Sequence, residues 1–329
     1  YKVWLSEIIL QQTRVEQGWN YYEKFIEKFP TITQLAKAKD EDVFKLWEGL
    51  GYYTRCKNLL HTARVVHEKY AGKFPSDYNT ILSLKGIGSY TASAIASFCF
   101  NLPYAVVDGN VLRVLSRYFG IDLPVDSSEG KKIFSQLAQQ CLDKNQPGEY
   151  NQSIMDFGAV VCKPVPVCKA CALSKTCIAF NKNKIDLLPA KLKKPLKKER
   201  WFSYFIFSFN NNKFVQQRMA KDIWQNLYEF YLEETTVNPE WNIKKIKEWL
   251  THKLNISNTK NIHIIPAEKQ LLTHQIIQGY FIRVDLNENT VAINSQTGLW
   301  LSEAEIKTKA FPRFINQFTN RKTFQMQIL

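Results

Sequence analysis

Two carboxylates, one glycine-rich turn and four closely spaced cysteines carry the chemistry that can be read from the chain. Glu7 lies in an apolar helical stretch, and Asp108 is a lone carboxylate directly after the apolar Tyr104–Val107. Cleavage of a glycosidic bond typically employs such a pair, one residue as general acid and the other to stabilise or attack the oxocarbenium-like sugar. Burial of Glu7 would let it hold a proton near neutrality. By spacing alone, Glu7, Gln11 and Arg14 form a polar line at intervals of four and three, which reads as a solvated helix face. Gly86 and Gly88 form a tight turn between two helical patterns. The unpaired amides of such a turn suit a phosphate oxygen and bind nucleic acid without reading its bases. The cysteines follow the pattern Cys162-x5-Cys168-x2-Cys171-x5-Cys177. Four thiolates in so short a loop can close on tetrahedral zinc or on a cubane of iron and sulfide. A single C-x2-C flanked on both sides, instead of two paired C-x2-C units, tilts the choice towards iron–sulfur. His274, in Leu272-Thr273-His274, falls within a strand pattern and on its own reads as a surface or packing residue.

The elements that must position these groups are helical in the first half. Apolar positions from Leu5 to Phe29 recur at helical spacing and predict a helix up to Pro30. Further helices are predicted from Asp40, as an acidic N-cap, to the Gly49–Gly51 turn; from Thr54 to Tyr70; and near Asp77–Ser83. After the glycine turn come a helix to about Phe100, then Asn110–Tyr118 with Asp108 as its N-cap, Ser128–Leu142 and Glu149–Val161. Beyond Cys177 the composition changes. Leu188–Arg200 carries two prolines and a run of basic residues, in the manner of a linker that could also lie along a phosphate backbone. Trp201–Phe209, an Asn-rich turn at Asn210–Asn212 and Phe214–Arg218 predict a hairpin. Strand-like runs follow at His263–Pro266, His274–Asp285 and Thr290–Asn294, with helical patterns at Asn242–Lys253 and Glu303–Lys309. The expected organisation is an all-α domain over 1–185, with a helix-hairpin-helix near 77–100 and a cysteine loop at 162–177, a basic linker at 186–200, and an α+β domain over 201–329.

The chain of 329 residues is long enough for two cores, and its net charge of +14 favours polyanionic partners through steering and counterion release. A ribosome or an anionic membrane would attract the same charge. The most apolar run, Tyr90–Val107, is broken by Asn101 and Pro103 and falls short of the roughly 20 apolar residues a membrane helix needs. It reads as a buried core helix, with no membrane partner. Clustered cysteines without an export signal point to an intracellular, reducing compartment, cytoplasm or nucleoid in a bacterium. The chain opens without methionine, directly into a helical pattern, so an N-terminal piece is expected to be absent.

Taken together, Trp4-Leu-Ser-Glu-Ile-Ile-Leu-Gln-Gln-Thr13, Gly49-Leu-Gly-Tyr-Tyr53, Leu84-Lys-Gly-Ile-Gly-Ser-Tyr-Thr91, Val107-Asp-Gly-Asn-Val111, Met155-Asp-Phe-Gly158 and the four cysteines resemble the adenine DNA glycosylases of the MutY family. That family lies within the endonuclease III-like helix-hairpin-helix superfamily, and the resemblance covers nearly the whole chain. It implies removal of adenine mispaired with 8-oxoguanine in duplex DNA. Glu7 matches the general acid that protonates adenine at N7, and Asp108 the carboxylate that stabilises or attacks the oxocarbenium ion. Tyr90 stands where related lyases carry a Schiff-base lysine, which implies a monofunctional enzyme. Asn110 matches a polar residue beside the catalytic aspartate, and Asp156 stands where many members have an adenine-holding glutamate. Gln12 and Tyr52 match residues that wedge into the duplex, Thr13 one that contacts the oxidised guanine, and Gly86 and Gly88 the phosphate-binding hairpin. The cysteines would hold a [4Fe–4S] cluster that orders a DNA-contacting loop. The C-terminal half resembles a Nudix-like 8-oxoguanine reader, in which Leu272-Thr273-His274 replaces a common Phe-Ser-His loop. It has no catalytic Nudix box, and a monomer is expected. The first cysteine gap is five residues where six is usual. Two alternatives stand beside this reading. An endonuclease III-like lyase conflicts with Tyr90 and the long C-terminal half, and a non-catalytic iron–sulfur DNA-binding module leaves Glu7 and Asp108 without a role.

Overall fold

The chain divides into two units, Tyr1–Lys37 with Lys57–Lys194, and Ala38–Cys56 with Pro195–Leu329. This arrangement comes from a computed structural model that describes residues 1–193, 195–287 and 298–319. The boundary near 194 falls inside the expected linker, whereas the grouping of 38–56 with the second unit has no counterpart in the sequence pattern.

The first unit begins with α1 (Lys2–Leu10), α2 (Val15–Lys28) and α3 (Ile32–Lys37). The helix predicted to run to Pro30 is therefore two helices. Gln12 adopts a left-handed conformation, φ 56°, the Thr13 N–H closes a turn on the Leu10 carbonyl, and an extended Arg14 caps α2. The apolar periodicity crosses the break because both helices bury an apolar side, Leu5, Ile8 and Ile9 on α1 and Phe25 on α2. The next helix, α4 (Asp40–Trp47), belongs to the second unit; Lys39 caps it, and Asp40, Glu41 and Asp42 occupy its first turn, where the helix dipole favours negative charge. Then come α5 (Tyr53–Lys69), α6 (Tyr78–Ser83), α7 (Ser89–Phe100), α8 (Gly109–Phe119), α9 (Ser128–Cys141), α10 (Pro147–Val160) and the short α11 (Ile178–Asn181). Helix α7 buries Ala92, Ala94 and Ala96 together with Ser93 and Ser97, so small side chains line every side of it. α1, α6 and α10 pack on it. A second core joins Val111 and Leu115 of α8 to Phe134 and Ala138 of α9.

Among the described residues, the second unit is built on a mixed sheet of eight strands: β1 (Lys198–Phe209), β2 (Asn212–Gln217), β3 (Tyr228–Glu229), β4 (Tyr231–Thr235), β5 (Thr259–Pro266), β6 (Gln270–Leu271), β7 (Gln275–Leu286) and β8 (Gly298–Leu301). β1 pairs in parallel with β7 and antiparallel with β2 and β4. Alternate residues of β1 feed opposite faces, Phe202, Tyr204 and Ile206 on one and Phe205 and Phe207 on the other. Helix α12 (Ile243–Leu254) covers the second face through Ile246 and Leu250. The first face is covered by Phe314, Ile315 and Phe318 of α14 (Arg313–Thr319), which follows α13 (Glu303–Thr308). The predicted hairpin is present, its turn made by left-handed Asn210 and Asn211. β4 and β8 were not visible in the pattern, and the predicted strand at Thr290–Asn294 lies outside the described residues.

Candidate active site

Asp108 caps α8, as its position predicts. Its Oδ1 accepts the Val111 N–H at 2.7 Å, and its Oδ2 accepts Asn110 Nδ2 at 2.8 Å. The approach to the cap is an extended segment that other helices hold by backbone mimicry. The buried Asn151 amide of α10 bonds Tyr104 O and Val106 N–H, and Gln139 of α9 bonds Pro103 O and Ala105 N–H. Asn110 passes the network on, since its Oδ1 accepts a guanidinium hydrogen from Arg113 at 2.8 Å. Arg113 also donates to the carbonyls of Cys162 and Gly158, both at 2.7 Å. The carboxylate is thus fixed by a chain of donors all pointing towards it.

Glu7 projects from α1 towards α7. The expected solvated face is corrected here, because spacing identifies residues that share a face but not what that face meets. Burial pushes the Glu7 carboxyl above its usual range, the nearby Asp108 charge adds to that, and a hydrogen bond from the Tyr90 hydroxyl opposes it. Tyr90 is itself held well above the ordinary tyrosine range by burial and by the carboxylates of Glu7 and Asp108. One turn along, Gln11 Nε2 reaches Thr91 Oγ1 at 3.3 Å, tying the end of α1 to the start of α7. Residues about one hundred positions apart therefore form one cluster: a carboxyl biased towards its protonated form, a phenol, and a helix-capping carboxylate. Such a set can deliver a proton to a leaving group and stabilise positive charge left behind. A cleft of about 1150 Å³ opens beside it, lined by Tyr90, Ser89, Val107, Gln139 and the stacked rings of Tyr78 and Tyr104.

The turn from α6 to α7 has the predicted hairpin geometry. Gly86 is left-handed, φ 82°, and a Cβ there would stand 2.6 Å from the Asn58 side chain. Gly88 caps α7, and a Cβ on it would meet nothing within 4 Å. Packing explains the first glycine and leaves space over the second, where the amides of α7 open outward.

Residues 5–140 match the HhH-GPD superfamily of base excision DNA repair proteins. The adenine DNA glycosylase of Buchnera aphidicola subsp. Schizaphis graminum is 35% identical over 280 residues, covering 81% of this chain and 79% of the relative. That of Buchnera aphidicola subsp. Baizongia pistaciae is 34% identical over 309 residues, covering 91% and 83%. The chain belongs to the adenine DNA glycosylase family. The human adenine DNA glycosylase is 44% identical over 181 residues, covering 54% of this chain and 33% of its own length. A solved thermostable thymine-DNA glycosylase superposes with a TM-score of 0.51 at 31% identity, over 55% of this chain and 84% of that one.

In this glycosylase-family chain the four cysteines are unbonded to one another and partly exposed. Burial raises the Cys168 thiol, and Cys162, Cys177 and Cys171 each raise it further, so all three lie within electrostatic reach. Among the described residues no three ligating side chains gather as a single-ion site. Arg117, buried at 3% exposure, braces the loop by donating to the carbonyls of Lys163, Pro164 and Leu188 at 2.9, 3.0 and 2.9 Å. Arg117→Leu would leave these carbonyls without donors and is expected to lower stability by about 3 kcal/mol, read from urea unfolding midpoints. Arg117→Lys should rescue little, since one ammonium cannot span three acceptors on two segments.

The remaining predicted residues divide. Tyr52 is exposed, left-handed at φ 48°, and its hydroxyl lies 2.7 Å from Thr273 Oγ1. His274 and Thr273 are exposed in the bend before β7, not within a strand, while Leu272 packs onto the sheet core. Lys197 Nζ holds the Leu272 carbonyl at 2.7 Å, and the Lys198 N–H the His274 carbonyl at 3.1 Å. Gln12 is exposed and Thr13 half-buried in the α1–α2 turn. Asp156 is exposed on α10 and accepts from Gln152 at 2.9 Å; no described interaction brings it to Glu7 or Asp108. Sequence reasoning missed Arg113, Arg117, Asn151 and Gln139. The available signal was the line of Asn110, Arg113 and Arg117 at helical spacing behind the capping aspartate.

Proposed function

We propose that this chain hydrolyses the N-glycosidic bond of adenine mispaired with 8-oxoguanine, or with guanine, in duplex DNA. The observation that carries the reading is the half-buried Glu7 carboxyl, bonded by Tyr90 and facing the charge of Asp108. Protonated Glu7 gives its proton to adenine N7, the bond from N9 to the sugar C1′ breaks, and adenine leaves with the electron pair. Asp108 stabilises the oxocarbenium ion, by charge or by transient attachment, until water adds at C1′ and the water proton returns to a carboxylate. Tyr90, with its phenol proton firmly held, fixes Glu7 and cannot form an imine with the opened sugar, so strand scission is not part of the reaction. The test is whether abasic product is cut only after alkali. A borohydride-trapped DNA adduct formed as efficiently as by a lyase would contradict it.

The other assignments belong to the same reading. Gly86 and Gly88 would grip a phosphate, Gln12 and Tyr52 would fill the space left by the flipped adenine, and Thr13 would touch the oxidised guanine, together offsetting the few kcal/mol lost on unstacking. Asp156 would help hold the adenine, on the resemblance alone. Cys162, Cys168, Cys171 and Cys177 would hold a [4Fe–4S] cluster. Cys168 has the other three thiols within electrostatic reach, a donor set that fits a cubane, and the single C-x2-C flanked on both sides is the feature that favours iron–sulfur over zinc. When bound, the cluster would order the 162–177 loop for DNA contact. The second unit, helices on both faces of a mixed sheet, would serve as a Nudix-like reader through Leu272, Thr273 and His274, in a protein acting on duplex DNA as a monomer. No helix among the described residues is long and apolar enough to cross a membrane. Thr273→Ala with His274→Ala is expected to lower the preference for A·8-oxoguanine over A·G about tenfold, the effect of one or two lost polar contacts, with little change in adenine release from A·G. Competition between the two duplexes measures it.

A further inference from the structure

The segment Ala38–Cys56 groups with the sheet unit, and polar contacts fix it there at two places. At the first, the Glu48 carboxylate collects three donors. Its Oε1 accepts the Phe311 N–H at 2.8 Å and Asn316 Nδ2 at 3.0 Å, and its Oε2 accepts Lys45 Nζ at 2.6 Å. Lys45 also donates to the Lys309 carbonyl at 2.9 Å, while Glu41 binds Lys309 Nζ at 2.9 Å and the Tyr228 hydroxyl at 3.0 Å. At the second place, the hydroxyls of Tyr52 and Thr273 meet at 2.7 Å. The turn between them has little freedom. Gly49, Gly51 and Tyr52 all have positive φ, at 92°, 79° and 48°. The Trp47 indole N–H bonds the Gly51 carbonyl at 2.9 Å, and the Arg55 guanidinium lies 5.3 Å from the ring centres of both Trp47 and Tyr52.

We infer that Glu48 is a positioning residue for lesion recognition: by tying the end of α4 to Phe311 and Asn316, it sets where Tyr52 stands against Thr273, and so how well guanine and 8-oxoguanine are told apart. A non-glycine residue in the left-handed region stays there only while its surroundings over-determine it. Hydrogen bonds to a carboxylate are the strong ones in this neighbourhood, and of Glu41 and Glu48 it is Glu48 that directly precedes the Gly49–Tyr52 turn, so its anchor is the tie whose loss most loosens that turn. The inference rests on the proposed role of Tyr52 and Thr273 in reading 8-oxoguanine.

The test compares adenine release from A·8-oxoguanine and A·G duplexes by the full chain. Glu48→Ala is expected to lower that ratio about fivefold, the factor carried by one net hydrogen bond. Glu48→Gln, which keeps an Oε1 acceptor for Phe311 and Asn316, should stay within about twofold of the parent. In a Tyr52→Phe background, where the hydroxyl bridge is already gone, Glu48→Ala should change the ratio no further. Equal losses in both backgrounds would reduce Glu48 to a general stability role and overturn the inference, as would an unchanged ratio in Glu48→Ala. Asn316→Ala, which removes one donor from the anchor, carries the same comparison if Glu48→Ala does not fold. A parent protein that treats both duplexes alike, or a ratio indifferent to Tyr52→Phe and Thr273→Ala, would overturn the recognition role itself, and Glu48's with it.

Discussion

Asp108→Asn is expected to slow adenine release by about 10³-fold or more while leaving the fold nearly intact. The asparagine oxygen can still accept the Val111 N–H, so the cap on α8 survives and the stability loss should stay within about 1 kcal/mol. What changes is the second oxygen. Asn110 Nδ2 donates to it at 2.8 Å, and an amide nitrogen there would face a donor. Rotating Asn110 does not resolve the conflict, because its own oxygen is committed to Arg113 at 2.8 Å. The donor chain from Arg113 through Asn110 needs an acceptor-only group at its end. Losing the negative charge removes the stabilisation of the sugar cation, an effect of about 4 kcal/mol or more at a preorganised site. Single-turnover rates with saturating enzyme, alongside thermal melting, separate the two consequences. A stable variant that retained a tenth of the parent rate would remove Asp108 from the chemistry.

The second large effect concerns Glu7. Glu7→Gln should lower the rate by about 10²–10⁴-fold, the range for losing a general acid, without lowering the melting temperature. The sign follows from the carboxyl's surroundings. Burial and the Asp108 charge hold its folded pKa above the unfolded value, against a smaller opposing pull from Tyr90. Such a group stabilises the fold fully below its unfolded pKa, and that contribution is lost as pH rises through the folded pKa. At neutral pH the glutamine variant escapes this penalty, so it should melt at the same temperature or higher. In the parent, activity should fall as pH rises through the Glu7 pKa. Tyr90→Phe removes the bond that favours the ionised carboxylate and should move that limb to higher pH. Asp108→Asn should move it lower in whatever activity remains. A Tyr90→Phe profile shifted towards lower pH would contradict the assignment.

Much of this arrangement is legible in the residues themselves. The Asp108 cap, the Gly86–Gly88 turn and the helices on either side are local features, set by backbone donors and glycine φ, and the structure has each within a residue or two of expectation. The Trp201–Arg218 hairpin is equally local, announced by asparagines able to turn left-handed. What escaped the sequence depends on partners distant along the chain. Glu7, Gln11 and Arg14 share a line, but only the packing of α1 on α7 shows that Glu7 faces Tyr90. Arg113 and Arg117 read as ordinary surface cations until their carbonyl partners in the cysteine loop are seen. The break at Gln12 is hidden because two helices bury one continuous apolar pattern. Nor does anything in Asp40–Trp47 announce that this helix groups with a sheet more than 140 residues later in the chain.

The central claim, that the Glu7–Tyr90–Asp108 cluster removes adenine from a lesion pair and stops there, is tested most directly by one assay. End-labelled duplexes carrying A opposite 8-oxoguanine or A opposite T are incubated with the full chain, and each is divided into portions with and without alkali. The expected result is a strand break at adenine only in the 8-oxoguanine duplex and only after alkali. Equal breakage of the A·T duplex, or breakage at adenine without alkali, would contradict it.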